Sequence, residues 1–142
     1  MAAGEEKHSK IVASIAEAEG QTTGEIRVHL SRHWIEPNAF ARATYLFKKF
    51  GMTETTHRNA VLLYVNLRKR KLAVIGDISI HAKVGQRFWD ELMATLQVDL
   101  RSTYYENAIS TAVLRIGQVL KLHFPLEGEN HSNELPNIVT ED

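Results

Sequence analysis

The spacing of apolar residues divides the first half of the chain into a helix, a strand and a second helix. Apolar residues recur at helical spacing at Ile11, Ile15 and Ala18, and residues 20–24, which contain two glycines, indicate a turn after them. Residues 25–31 alternate apolar and polar types, which predicts a strand. Its inward side chains are predicted to be Ile26, Val28 and Leu30. A second helix is predicted between Pro37 and Gly51, with an apolar face made of Phe40, Ala43, Phe47 and Phe50.

The second half of the chain contains a pair of strands and two long amphipathic helices. Residues 60–67 are almost continuously apolar, as expected of a strand covered on both faces, and residues 71–76 follow after the short basic link 68–71. Helical spacing then predicts a third helix over about 83–100 and a fourth over about 103–123, which Pro125 ends. The basic link is interpreted as a solvated hairpin tip.

These elements predict an α/β layer domain in which a small mixed sheet carries about four helices on its faces. A right-handed crossover through the second helix makes the first two strands parallel, and the third strand runs back against the second. The starts of the first two strands and the end of the third therefore lie at one edge of the sheet. Three polar side chains, Glu25, Asn59 and Asp77, are expected to converge there.

Charge separates the body of the domain from its C-terminal segment. Residues 1–124 are predicted to form one domain, and residues 125–142 to form a flexible acidic tail with five acidic side chains and no Lys or Arg. The body has 17 basic and 12 acidic side chains, an excess of 5 positive charges that is scattered along the chain, and no nucleic-acid readout motif is present. We therefore expect no nucleic-acid partner.

Several classes of function are excluded by what the sequence lacks. The chain has no cysteine, so it has no thiolate nucleophile, disulfide or cysteine-type zinc site. It shows no apolar run long enough to span a membrane and no secretory signal, which predicts a cytoplasmic protein without a membrane partner, expected to be monomeric. It also lacks the motifs of a serine nucleophile elbow and of a phosphate-cradling loop.

Short motifs in a fixed order give the chain a resemblance to a known family. Residues 23–26 (Thr-Gly-Glu-Ile), 58–64 (Arg-Asn-Ala-Val-Leu-Leu-Tyr) and 71–77 (Lys-Leu-Ala-Val-Ile-Gly-Asp) resemble the entry into the first strand, the second strand, and the return strand with its loop in the TPM domain family. The similarity covers roughly residues 8–125, and residues 117–125 and 133–137 are similar to a short cytosolic bacterial branch without signal peptide or membrane anchor.

The resemblance implies a fold and an activity. It implies a Rossmann-like, three-layer α/β/α sandwich, binding of Ca²⁺ or Mg²⁺, and phosphatase or nucleotide phosphohydrolase activity in some members. By position, the candidate metal ligands are Glu25, Asn59 and Asp77, and Arg58 is the candidate phosphate-binding residue. The alternative interpretation of Asp77 is a residue that shapes the turn after Gly76.

Two functional hypotheses follow, because the chain also departs from the family pattern. Ala60 and Ser79 stand where many members have glycine, Tyr104 stands where many have an acidic residue, and Arg58 also replaces an acidic residue. These departures favour a non-catalytic or vestigial binding module that uses an edge of the domain or the acidic tail to bind a protein partner. The alternative is a divalent-cation-dependent phosphatase in which the cation polarises the phosphoryl group.

The histidines and tryptophans are interpreted mainly as structural residues. His29 and His33 are four residues apart but flank the end of a predicted strand, so the spacing of helical metal ligands does not apply. His57 and His81 lie near the proposed edge, where an acid/base role is the alternative. Trp89 is predicted to belong to the core.

Overall fold

The computed structural model describes residues 7–126 and 134–142 and shows a mixed sheet flanked by helices. In chain order the elements are α1 (Ser9–Glu19), β1 (Glu25–Ser31), α2 (Ala39–Lys49), a short 3-10 helix (Met52–Glu54), β2 (Ala60–Asn66), β3 (Lys71–Gly76), α3 (Ile78–Ser102), α4 (Tyr105–His123) and β4 (Val139–Glu141). None of the helices in these described residues is both long enough and apolar enough to cross a membrane.

The sheet has the predicted topology with one added strand. Its order is β3-β2-β1-β4, with β1 parallel to β2 and to β4, and β2 antiparallel to β3. Glu25 is paired with Ala60, and Val61 with Gly76, so the starts of β1 and β2 and the end of β3 share one edge. The predicted mixed α/β fold is confirmed.

Helices cover both faces of the sheet. Ile26, Val28 and Leu30 of β1 are buried in a cluster with the apolar faces of α1, α3 and α4, as the alternation predicts. On the other face, Leu62 and Tyr64 of β2 pack with α2. The domain therefore has three layers, and β2 is buried along its whole length because both faces are covered.

The third helix begins earlier than its apolar spacing indicates. The prediction placed its start near residue 83, but α3 begins at Ile78, where the Asp77 carboxylate accepts a hydrogen bond from the Ile78 amide. Gly85 then interrupts the helical backbone with φ 77° and ψ 167°. Because this break shifts the phase of the apolar face, the helical pattern in the sequence is continuous only after it.

Residues 139–142, within the segment predicted to be flexible, contribute to the sheet. Val139, Thr140 and Glu141 pair with β1 as the short strand β4. The Arg32 amide donates to the Asp142 carbonyl at 3.1 Å, and the Asp142 amide donates to the Leu30 carbonyl at 3.0 Å. A pattern of three residues is too short to predict a strand from the sequence. This strand forms because the open edge of β1 offers it a hydrogen-bonding partner.

Candidate functional site

The three candidate ligand positions lie along one edge of the sheet. The Asp77 amide donates to the Ala60 carbonyl at 2.9 Å, and the Ser79 amide donates to the Arg58 carbonyl at 3.0 Å, so the residues after β3 are tied to the start of β2. Glu25 lies at the start of the neighbouring strand β1. The predicted juxtaposition of these backbone positions is therefore observed, while the role of their side chains depends on the contacts below.

Arg58 and Asp77 form a two-point ion pair at this edge. Arg58 Nε donates to Asp77 Oδ2 at 2.6 Å, and Nη2 donates to Asp77 Oδ1 at 2.8 Å. The hydrogen bond to Asp77 raises the pKa of Arg58. Asp77 is 5% exposed and also caps α3. The helix cap agrees with the interpretation of Asp77 as a residue that shapes the turn, and its role as a metal ligand stays a prediction. The phosphate-binding candidate Arg58 is engaged by Asp77.

Arg58 adopts a backbone conformation that few side chains favour. Its φ of 51° lies in the left-handed region, where residues other than glycine, Asn and Asp are uncommon. The ion pair and the hydrogen bond to its carbonyl hold it there. Backbone strain of this kind is concentrated at positions where the side chain has a specific task.

Glu25 is completely buried beside a second glutamate, Glu19. Glu25 Oε1 accepts from the Leu135 amide at 2.6 Å, and Glu19 Oε2 accepts from the Ile26 amide at 2.7 Å. Although it begins a strand, Glu25 is not exposed to solvent, because the segment that contains Leu135 covers it. Burial, together with the charge of Glu25, raises the pKa of Glu19 to about 8.

Glu19 is a residue that the sequence argument missed. It lies at the end of α1 and is 2% exposed. It follows Ile15 by four residues and so continues the inward face of α1, which is the one signal in the sequence that places a carboxyl group there. The two carboxyl groups interact directly, and at neutral pH the pair retains a proton.

Asn59 contributes a buried amide oxygen at the same edge. Its Nδ2 donates to Thr23 Oγ1 at 3.1 Å, and the side chain is fully buried. Within the described part of the chain, Asn59 Oδ1 accepts no hydrogen bond. An unsatisfied buried oxygen is costly, so it attracts a proton donor or a cation.

The carboxyl groups do not by themselves make a complete metal site. In residues 7–126 and 134–142 no cluster of three or more His, Asp or Glu side chains is arranged to hold a metal ion. A cation at this edge would draw on Glu19, Glu25, the Asn59 amide oxygen, backbone carbonyls and water. Ca²⁺ takes six to eight oxygen ligands, and Mg²⁺ commonly keeps several waters.

Tyr104 lies far from this edge. It is 59% exposed and directly precedes α4. Its neighbour Tyr105 adjoins Asn66 at the far end of β2, so the length of that strand, roughly 20 Å, separates it from Asn59. Tyr104, which stands where many family members have an acidic residue, therefore lies at the opposite end of the sheet from Asp77, since α3 carries the chain there.

His29, His81 and Trp89 have structural partners. His29 stacks on Tyr64 with ring centroids 5.6 Å apart, and its ring hydrogen-bonds to Thr140 Oγ1 at 2.7 Å. Trp89 is 2% exposed, as predicted, and donates to His81 Nδ1 at 3.0 Å. These contacts anchor β4 and α3.

Comparison with known proteins identifies the family of this fold. The family model described as TPM domain matches residues 4–119. The NMR structure of BA42 protein from the psychrophilic bacterium Bizionia argentinensis is similar, with a TM-score of 0.85 and 32% identity over 100% of this chain and 95% of that one.

More distant structures share the fold alone. An N-terminal domain of a P. gingivalis protein has a TM-score of 0.69 at 16% identity, covering 94% of this chain and 82% of that chain. The N-terminal domain of cg2496 from Corynebacterium glutamicum has a TM-score of 0.61 at 10% identity, covering 100% and 81%. No curated protein matches the chain. The family match over most of the chain, together with the 32% identity to BA42, shows that this chain belongs to the TPM domain family.

Proposed function

We propose that this TPM domain is a non-catalytic binding module rather than an efficient phosphate hydrolase. The observation that carries this proposal is the two-point ion pair between Arg58 and Asp77. The partner, the monomeric state and the cytoplasmic location stay predictions from the sequence.

The pair occupies the groups that hydrolysis would require. Cation-assisted phosphate hydrolysis needs carboxylates open to the metal and a cationic group open to the phosphate. Here the Asp77 carboxylate accepts two hydrogen bonds from Arg58 and one from the Ile78 amide, and it is almost fully buried. Binding of a cation and a phosphate would have to separate the pair before any chemistry.

A hydrolysis assay with matched variants tests the proposal. The wild-type protein and the Asp77→Asn and Arg58→Gln variants are incubated with p-nitrophenyl phosphate or ATP in Ca²⁺, Mg²⁺ or Mn²⁺. We expect no metal-dependent turnover that distinguishes wild type from Asp77→Asn. Turnover that needs the metal, falls at least about tenfold in Asp77→Asn and is kept in the remote control Arg87→Gln would overturn it.

Divalent-cation binding without catalysis is a second candidate for the same edge. It is favoured by the buried pair of Glu19 and Glu25 together with the Asn59 Oδ1 atom that lacks a hydrogen-bond donor. A proton held up to pH about 8 at Glu19 marks a place where negative charge is poorly neutralised by the protein. A divalent cation would replace that proton and give Asn59 a partner, with the Leu135 amide moving away from Glu25.

An amide NMR titration separates cation binding from the plain binding module. Metal-stripped protein is titrated with Ca²⁺ and then Mg²⁺, in parallel with Glu25→Gln and Asp77→Asn. Cation binding predicts saturable shifts at residues 19–26 and 59 that are lost in Glu25→Gln and kept in Asp77→Asn. Loss only in Asp77→Asn would instead assign the ion to the Asp77 carboxylate, and no shifts up to about 10 mM ion would leave the edge without a cation.

A further inference from the structure

The far end of the sheet carries a cavity that is separate from the Asp77 edge. It has a volume of about 260 Å³ and lies between the β2–β3 hairpin and the corner where α3 meets α4. Arg70 from the hairpin and Arg101 from the last turn of α3 both line it. The carboxyl end of β2 opens onto this cavity, and ligands of open α/β sheets commonly bind at that end of parallel strands.

Among the residues that the structure describes, the two arginines of the cavity have no acidic partner. In the described part of the chain neither Arg70 nor Arg101 forms an ion pair, and no carboxylate lines the cavity. By contrast, Arg42 pairs with Asp142, and Arg58 pairs with Asp77. Two guanidinium groups beside one small cavity raise its positive potential, which favours an anion.

The backbone of Arg70 indicates that its side chain has a task. Its φ of 55° lies in the left-handed region, where a turn that needed only its shape would use glycine or Asn. The hairpin is held without the Arg70 side chain, because Asn66 Oδ1 accepts from the Arg68 and Lys69 amides at 3.0 Å each. Gln97 Nε2 also donates to the Arg70 carbonyl at 3.3 Å, which ties the hairpin to α3.

The position of Arg101 can be explained without a ligand, but the presence of Arg70 and Arg101 together cannot. A basic residue in the last turn of a helix is stabilised by the helix dipole, and this accounts for Arg101 at the end of α3. The dipole of α3 offers no such reason for Arg70, which belongs to a turn. Their presence on one cavity wall therefore points to a shared ligand.

The rest of the wall combines apolar side chains with the amide groups of Asn66 and Gln97. Val65, Leu67 and Leu100 line the cavity together with Tyr105, the first residue of α4. Guanidinium groups bind phosphate and carboxylate through paired hydrogen bonds, and an apolar wall favours a ligand with an apolar part. The volume is just below the roughly 300–1,000 Å³ typical of sites for drug-sized ligands, so the ligand is small.

We propose that this cavity binds a small organic anion, with its phosphate or carboxylate group between Arg70 and Arg101 and its apolar part against Leu67 and Leu100. The proposal goes beyond the function proposed above and does not depend on it, because the cavity and the Asp77 edge lie at opposite ends of the sheet.

An amide NMR titration with phenyl phosphate tests this site. Benzoate tests whether a carboxylate serves as well as a phosphate, inorganic phosphate lacks the apolar part, and phenol lacks the negative charge. The variants are Arg70→Gln and Arg101→Gln, both at exposed positions, and Arg87→Gln is the matched control, since its side chain is 91% exposed and pairs within α3.

Phenyl phosphate or benzoate is expected to give saturable shifts confined to residues 65–70, 97–101 and 105. Each cavity variant is expected to raise the Kd about tenfold, with no change in Arg87→Gln, and phenol and inorganic phosphate are expected to bind at least about tenfold more weakly. The spectra of the free variants show whether they are folded. No saturable shifts up to about 10 mM, shifts elsewhere, or equal weakening in Arg87→Gln would overturn the proposal.

Discussion

Arg58 and Asp77, 19 positions apart in the sequence, are joined by two hydrogen bonds of 2.6 and 2.8 Å across the start of β2 and the end of β3. The contact fixes the orientation of both side chains and links the strained backbone at Arg58 to the first turn of α3. Since Asp77 both caps a helix and neutralises a guanidinium, the same carboxylate serves stability at the edge where the family resemblance placed chemistry.

Two substitutions of Asp77 are therefore expected to lower the stability by different amounts. Asp77→Ala removes the cap of α3 and the partner of Arg58, and the cap alone contributes about 1 kcal/mol. Asp77→Asn keeps an oxygen for the Ile78 amide and loses only the charge. Urea unfolding should give a larger loss in unfolding free energy for Ala than for Asn, at an unchanged m-value. Equal losses for the two variants would show that the cap contributes nothing.

Glu19 should make the protein less stable as the pH rises. Its folded pKa of about 8 lies above the ordinary value of 4.5, so the folded state holds a proton that the unfolded state releases. The stability linked to this proton is fully present below pH 4.5 and is lost as the pH rises through 8, by a few kcal/mol in total. The urea midpoint of wild type, compared with Glu19→Gln, measures it between pH 5 and 8.

The difference in urea midpoint between wild type and Glu19→Gln separates the effect of Glu19 from that of the titrating histidines. Burial lowers the pKa of His29, which acts with the opposite sign, because its contribution is lost as the pH falls through the ordinary value of 6.5 and below. Glu19→Gln retains an acceptor for the Ile26 amide and leaves His29 in place. A midpoint difference that does not vary with pH would refute the assignment of the proton to Glu19.

Asp142 should contribute to stability at neutral pH and lose that contribution in acid. Burial opposes its ionisation, but hydrogen bonds from His29, Arg42 and Ser31 lower its pKa to about 2 from 3.8. The contribution is present above pH 3.8 and is lost as the pH falls through 2; discounted for solvent screening, it is about 1 kcal/mol. Asp142→Asn should unfold at a lower urea concentration at pH 7, and its difference from wild type should shrink below pH 4.

Close packing of α1 on α4 depends on Gly117. A Cβ atom added there would lie 2.6 Å from the Ala18 Cβ and 2.8 Å from the Ala18 Cα, so the helices would have to move apart. We expect Gly117→Ala to destabilise the protein by about 1–3 kcal/mol in thermal or urea unfolding. Gly20→Ala is the control, because the nearest atom to its added Cβ is 3.3 Å away and its φ is −61°. A neutral Gly117→Ala would mean that α1 can shift freely.

Local pattern was sufficient for most of the fold. Alternation over residues 25–31 and the apolar run 60–67 predicted β1 and β2, and the antiparallel return of residues 71–76 was confirmed. The break at Gly85 hid the start of α3, since a glycine with positive φ resets the helical phase. The predicted order of strands also placed Glu25, Asn59 and Asp77 on one edge, where the structure has them.

The partners of those side chains could not be predicted from the sequence. Glu19 joins Glu25 because α1 ends over the start of β1, and the Leu135 amide reaches Glu25 from 110 positions away. Arg70 and Arg101 line one cavity because α3 returns the chain to the β2–β3 hairpin.

By itself, then, the sequence determined the helices, the strands and the edge at which polar residues collect, because spacing of 2 or 3.6 residues decides which side chains are buried. Only the tertiary structure decided which charges are neutralised: Arg58 pairs with Asp77, burial beside Glu25 favours the protonated form of Glu19, and Arg70 and Arg101 pair with no described group. The physical reason is that ion pairing and desolvation act over a few ångströms in space, and that proximity depends on how distant segments pack.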